Sequence, residues 1–174
     1  PAIAEIRAKA GYYGLQVPVG SISFNEEGDL TEEAISLLNQ HKEIIESAGL
    51  VPSAVGAYWD ADWTQCIKPH IQAANILNSP YLYGPYASPF LFFPEGASSG
   101  EAAMDWVDEH IESFAKLLKE EIGPYAAKFG VTLCDEPLQR FERMPIRLRE
   151  AVTLALKADT DQFKVMVDMC HEFC

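Results

Sequence analysis

Basic residues are scarce in this 174-residue chain: 13 Lys and Arg stand against 26 Asp and Glu, which gives a formal net charge of −13 at pH 7. Binding to nucleic acid depends on basic side chains that neutralise phosphates, and an acidic surface repels the phosphate backbone instead. The charge balance therefore argues against nucleic acid as a partner.

Cysteines are also few, and long apolar runs are missing. The spacing of Cys66, Cys134, Cys170 and Cys174 is not that of a disulfide framework, which favours a reducing compartment. The sequence has no run of about 18 apolar residues and no basic-then-apolar leader with a cleavage site. We expect a soluble, cytoplasmic protein that does not contact a membrane.

Neither tandem repeats nor a glycine-rich phosphate-binding motif occurs in the sequence. A length of 174 residues with 48% hydrophobic content suits one domain with a sizeable core, residues 1–174. The chain starts at Pro1 without an initiator Met and stops at Cys174 just after a strand-like run. We therefore expect both ends to be cuts within a longer polypeptide.

What the sequence does contain is a steady alternation of strand-like and helix-like segments. Short apolar runs between turn residues predict strands, and apolar residues that recur every three to four positions predict helices. The predicted strands are YYGLQVPVG near the start, LVPSAVGAYW, Tyr81–Tyr83, Val131–Cys134 and Phe163–Val167. The predicted helices are Asp29–Gly49 with Asp29 as a cap, Trp63–Leu77, Glu101–Phe129 with a break at Gly123 and Pro124, and Pro145–Lys157.

This alternation predicts an α/β fold with a parallel sheet, because parallel strands are joined by helical crossovers. The strands VTLC and FKVMV lack strong polar alternation, as expected for a sheet covered on both faces. Two architectures fit: an open doubly wound sheet, or part of a (β/α)8 barrel. A complete barrel needs about 250 residues, so the barrel interpretation makes this chain a fragment.

Two acids follow predicted strands, at the end of a parallel sheet where binding sites form. Glu136 comes two positions after one strand, and Asp168 comes 32 positions later, directly after the next. Each acid alone is more often a cap or loop residue. Together they would repel each other unless a cation lay between them, and oxygen ligands suit Mn, Mg or Co. His171 nearby extends the choice to Zn.

Other candidate residues carry weaker signals. Cys170 and Cys174 flank His171, but a single cysteine pair is a weak zinc motif. Trp59 and Trp63 lie in an aromatic and acidic segment, suited equally to stacking on a sugar ring and to ordinary packing. The apolar segment SPFLFF would suit association into a homo-oligomer.

Two motifs carry a resemblance to a known family. EPLQRFE (Glu136–Glu142) and VMVDMCH (Val165–His171) each follow an apolar strand. Together they resemble the sugar isomerases and epimerases with a xylose-isomerase-like TIM barrel, and most closely the ketose 3-epimerases of the tagatose and allulose type. The resemblance implies that the whole chain is a partial barrel, from about the first helix to the sixth strand.

The resemblance also implies roles for individual residues. Glu136 corresponds to a metal ligand that is one of two acid/base carboxylates, and Asp168 to the second metal ligand. Glu142 and His171 correspond to groups that contact the substrate. Gln139 departs from the asparagine common in the family. The remaining ligands, a histidine and the second catalytic glutamate, come in the family from the seventh and eighth strands, beyond residue 174.

The implied chemistry is a metal-dependent epimerisation of a ketose. One carboxylate removes the proton beside the carbonyl to give an enediolate, and a second returns a proton from the opposite face. The same scaffold serves aldose-ketose isomerases, hydroxypyruvate isomerase, inosose dehydratase and abasic-site endonucleases, the last disfavoured by the acidic charge. A non-catalytic fragment or binding module without a complete metal site is the alternative outside the enzyme class.

Overall fold

The computed structural model of the chain describes residues 2–20, 22–57, 63–84, 100–137 and 148–169, without the side chains of 100–104. The strands are β1 (Gly14–Val19), β2 (Val51–Ala57), β3 (Tyr81–Gly84), β4 (Thr132–Asp135) and β5 (Phe163–Val165). The helices are α1 (Ala2–Lys9), α2 (Glu32–Ser47), α3 (Trp63–Ile76), α4 (Gly100–Leu117), α5 (Gly123–Phe129) and α6 (Leu148–Ala158), with a π-helical turn over Leu118–Ile122 between α4 and α5.

The five strands form one parallel sheet in the order β1-β2-β3-β4-β5. Each strand pairs with the next along the chain, and the order never reverses. A doubly wound sheet reverses its order at a switch point, whereas the strands of a barrel follow one another around its circumference. The α/β fold expected from the sequence is confirmed, and the strand order is that of a partial TIM barrel.

The two faces of the sheet differ in exposure. In β1, Leu15, Val17 and Val19 are buried, while Gln16 and Pro18 between them are exposed. Since side chains alternate between the faces of a strand, the buried set lies on one face and the exposed set on the other. We call the more exposed face the inner face, because it corresponds to the interior of a barrel.

Helix α2 begins later than the sequence predicted. Thr31 rather than Asp29 is its N-cap, and its hydroxyl accepts a hydrogen bond from the Ala34 amide at 3.3 Å. Asp29 instead accepts a hydrogen bond from the Gln72 side chain at 2.9 Å. The predicted glycine stop is correct, because Gly49 has a left-handed φ of 76° directly after the helix end.

The predicted break at Gly123 and Pro124 does not occur. Gly123 has helical dihedral angles, and its amide donates to the carbonyl of Leu118, five residues earlier. Pro124 occupies the first turn of α5, where no intrahelical partner for its nitrogen is required. The chain therefore passes from α4 through a π turn into α5, and Gly130 (φ 66°) ends the run as predicted.

The core lies between the outer face of the sheet and the helices. Its fully buried side chains include Leu82 and Leu133 on the central strands, Ile67 and Ile71 on α3, and Leu154 on α6. Within the part of the chain that the structure describes, no helix is long and apolar enough to cross a membrane.

Candidate functional site

The carboxyl ends of the strands lie level with one another. Val19 pairs with Ala57, Gly84 pairs with Asp135, and Asp135 pairs with Val165. These five residues are the last of their strands. Segments that follow the strands therefore start from a common rim, which is where α/β sheets bind their ligands.

Glu136 is the first residue beyond β4 and lies on this rim, as the sequence predicted. Its amide donates a long hydrogen bond of 3.4 Å to the carbonyl of Gly84, at the end of the neighbouring strand. Its carboxylate reaches back towards the same glycine: a Cβ atom on Gly84 would lie 4.0 Å from Glu136 Oε2 and 3.8 Å from the carbonyl oxygen of Ala57. The half-buried carboxylate thus lies over the end of β3.

The two acids Asp135 and Glu136 lie on opposite faces of the strand. Asp135 is fully buried on the same face as Leu133, whereas Cys134 and Glu136 belong to the inner face and are half-buried. Burial raises the pKa of the Cys134 thiol, and the negative charge of Asp135 raises it further. Of the two acids, Glu136 is therefore the one that belongs to the inner face.

Asp168 comes three residues after β5 and is half-buried. Pairing with β4 continues one residue beyond the strand, since the Met166 amide donates to the Asp135 carbonyl at 2.8 Å. This brings the chain beside Glu136 just before Asp168. The approach of the two carboxylates to a shared cation stays a prediction.

Below this rim, on the inner face, Tyr83 and Gln16 make a contact that the sequence did not predict. The Tyr83 hydroxyl donates a hydrogen bond of 2.9 Å to the Gln16 side chain, which joins β3 to β1 across the intervening β2. Gly56 pairs with both Pro18 and Tyr83, so β2 presents no side chain where the tyrosine crosses it. The sequence indicated this contact only through the alternation of side chains along short strands, which places Gln16 and Tyr83 on the same face of the sheet.

The remaining predicted site residues fall into two groups. Trp63 is the first residue of α3 and is only 4% exposed, packed within the hydrophobic core. Its role in substrate binding stays a prediction, as do those of Trp59, Glu142 and His171, which lie outside the described residues.

Two oxygen-donating carboxylates suit a hard divalent cation such as Mg²⁺ or Mn²⁺, but such ions take about six ligands. Among the residues that the structure describes, no three His, Cys, Asp or Glu side chains lie close enough together to hold a metal. A metal ion held by Glu136 and Asp168 would therefore need further ligands.

The sequence was compared with known families and proteins. A family profile described as the xylose isomerase-like TIM barrel matches residues 3–174. A comparison with curated proteins finds no significant match.

Solved structures with the same fold are similar over almost the whole chain. A putative sugar phosphate isomerase/epimerase from Anabaena variabilis has a TM-score of 0.75 at 18% identity, over 98% of this chain and 57% of its own. D-psicose 3-epimerase with D-tagatose from Clostridium cellulolyticum has a TM-score of 0.66 at 18% identity, over 98% and 58%. A xylose isomerase-like TIM barrel protein from Mycobacterium smegmatis, in complex with magnesium, has a TM-score of 0.55 at 15% identity, over 93% and 53%. This chain thus spans less than two thirds of the length of these proteins.

Proposed function

Because the chain belongs to the family of xylose isomerase-like TIM barrels, we propose that it is the larger part of a metal-dependent sugar isomerase or epimerase, and specifically of a ketose 3-epimerase. The observation that carries the proposal is the position of Glu136, a half-buried carboxylate on the rim of a parallel sheet, directly after a central strand. The next strand along the chain is followed by Asp168, as the proposed metal pair requires.

In this proposal Glu136 and Asp168 hold a divalent cation, Mn²⁺, Mg²⁺ or Co²⁺. Held there, the cation would supply Lewis-acid polarisation of the ketose carbonyl, which would acidify the neighbouring carbon-bound proton. Glu136 also moves a proton at carbon 3, and Glu142 and His171 orient the sugar by hydrogen bonds. Trp59 flanks the sugar. A second carboxylate, supplied beyond residue 174, acts on the opposite face.

In this proposal residues 1–174 form a single domain that is a fragment of a longer barrel. Exposed apolar side chains at both edges of the sheet support it. Tyr13, which precedes β1, is 81% exposed, and Leu156, on the helix beside β5, is 75% exposed. Further strand and helix units of a barrel would cover such side chains and pair the two edge strands.

The metal site is tested in a polypeptide that includes the remaining strands, which would supply the other ligands. We expect Mn²⁺ titration followed by electron paramagnetic resonance to detect binding that Glu136→Gln and Asp168→Asn each weaken at least tenfold, because either change removes a charged ligand. Asp161→Asn is the matched control, since its side chain is 94% exposed and precedes β5 at the opposite end of the sheet. Equal affinities for all four proteins would refute the site.

The reaction is tested in a polypeptide that includes the remaining strands. Incubation with fructose, tagatose or allulose in heavy water plus Mn²⁺ should place deuterium at carbon 3 and yield the epimer, and a chelator or Glu136→Gln should stop both. Deuterium at carbon 1 or 2 with formation of an aldose would indicate an isomerase instead. Loss of water from the substrate would indicate a dehydratase, and no exchange would favour a binding module.

A further inference from the structure

Gly84 is the last residue of β3 and touches Glu136 through two different groups. Its carbonyl accepts the hydrogen bond from the Glu136 amide, and its Cα faces the Glu136 carboxylate. The backbone at this glycine has a φ of 115°, which residues with a side chain rarely adopt.

We propose that Gly84 is a positioning residue for Glu136: the missing side chain at the end of β3 leaves the space in which the Glu136 carboxylate lies, and the Gly84 carbonyl fixes the backbone from which that carboxylate extends. The inference rests on the proposed function in giving Glu136 its role. It adds a residue, far from Glu136 in sequence, that determines where the carboxylate can lie.

The distances show that a Cβ atom alone would fit at Gly84. The Cβ of an alanine would be in ordinary van der Waals contact with Glu136 Oε2 and with the Ala57 carbonyl oxygen, at 4.0 and 3.8 Å. A branched side chain adds further carbon atoms beyond this Cβ. Those atoms would compete with the Glu136 carboxylate for the same space and force it to turn away.

Backbone strain alone would also make alanine unfavourable at this position, so a control must share the strain and lack the contact. Gly28 provides it. Its φ is 83°, and a Cβ atom there would meet nothing within 4 Å. Gly28→Ala thus reports the effect of a side chain on a left-handed backbone without any effect on a neighbour.

The first measurement uses the unaltered protein and needs no metal. Nuclear Overhauser contacts between the Gly84 α protons and the Glu136 γ protons should be present, and side-chain couplings of Glu136 should indicate one dominant rotamer. Absence of the contacts would overturn the proposal whether or not the protein binds a metal.

The second measurement compares Gly84→Ala, Gly84→Val and Gly28→Ala. We expect Gly84→Val to alter the Glu136 couplings and to weaken Mn²⁺ binding at least tenfold, and Gly84→Ala, whose Cβ fits, to change both much less. Gly28→Ala should leave the couplings unchanged and the affinity within twofold, although urea unfolds it at a lower concentration. Unchanged couplings in a folded Gly84→Val protein would overturn the proposal. If the unaltered protein binds no Mn²⁺, the metal function fails, while the couplings still decide the role of Gly84.

Discussion

Acidification should destabilise the fold through His70. This histidine on α3 is 1% exposed, and its two ring nitrogens both face carbonyl oxygens: Nδ1 lies 2.8 Å from that of Cys66, and Nε2 lies 3.1 Å from that of Gly20. A neutral imidazole donates only one hydrogen bond, so the ring satisfies both carbonyls only when it is protonated. Burial nevertheless holds the pKa of His70 below its ordinary value, because desolvation outweighs the carbonyls, which act in the opposite direction.

The sign of the effect follows from this lowered pKa. In the unfolded chain the imidazole takes up a proton near its ordinary pKa of about 6.5, whereas the folded chain resists protonation until a lower pH. The stabilisation is thus complete above about pH 6.5 and is lost as the pH falls towards the folded pKa. If the folded form stays neutral, the proton that the unfolded chain takes up between pH 7.5 and 5.5 lowers the free energy of unfolding by at most about 1.4 kcal/mol.

Urea unfolding of the native protein and of His70→Gln at several pH values tests this prediction. The advantage of the native protein over His70→Gln should shrink by up to about 1.4 kcal/mol from pH 7.5 to 5.5. The exposed His41, replaced in His41→Gln, is the control for the loss of an imidazole in general. An advantage that grows on acidification would show that the carbonyl contacts outweigh burial, and a constant advantage would show that His70 does not titrate differently in the two states.

Two further substitutions test the packing of the fold. Leu133→Ala in β4 should lower the free energy of unfolding by about 3 kcal/mol, because the side chain is fully buried, whereas Leu156→Ala, 75% exposed, should change it by less than about 0.5 kcal/mol in the same urea titration. Gly123→Ala should also destabilise the protein despite the higher helix propensity of alanine, since its Cβ would lie 2.7 Å from the Leu118 carbonyl oxygen and 2.8 Å from Thr160 Oγ1. A thermal midpoint of Gly123→Ala equal to or above that of the native protein would contradict this account of the π turn.

The five strands could be predicted from the sequence because each is a short apolar run between turn residues. Their order could not, since sequence patterns leave a doubly wound sheet and a barrel equally acceptable. The order appears only in the pairing, where β1 lies beside β2 and never beside a later strand. Family motifs favoured the barrel, but the residues themselves did not.

Contacts with distant residues explain two smaller differences between the predicted and the observed helices. Asp29 and Thr31 are both good helix caps, and a hydrogen bond from Gln72, far along the chain, engages Asp29 and leaves the cap to Thr31. Gly123 followed by Pro124 is a typical helix-breaking pair. The close approach of Thr160 to Gly123, which leaves no room for a side chain there, is a tertiary contact.

The site residues divide in the same way, into those that local sequence predicts and those whose role depends on another strand. Glu136 could be predicted because an acid directly after a buried strand is a local signal, and Pro137 after it restricts the backbone to an extended form. Gly84 could not be predicted, because a glycine at a strand end is ordinary, and its role depends on a carboxylate from another strand. The bond between Tyr83 and Gln16 depends likewise on a glycine in the strand between them.

The unbroken strand order has a consequence for how the chain folds. Because each strand after β1 pairs with the one made before it, β2 can join β1 as soon as residue 57 has left the ribosome. Each later strand can then pair with a sheet edge that has already formed. Among the five described strands, each one after β1 therefore finds its partner already made, and only the outer edges of β1 and β5 stay open for further strands. The sheet can therefore grow from its N-terminal edge in step with translation, and each new helix closes over the strands already in place.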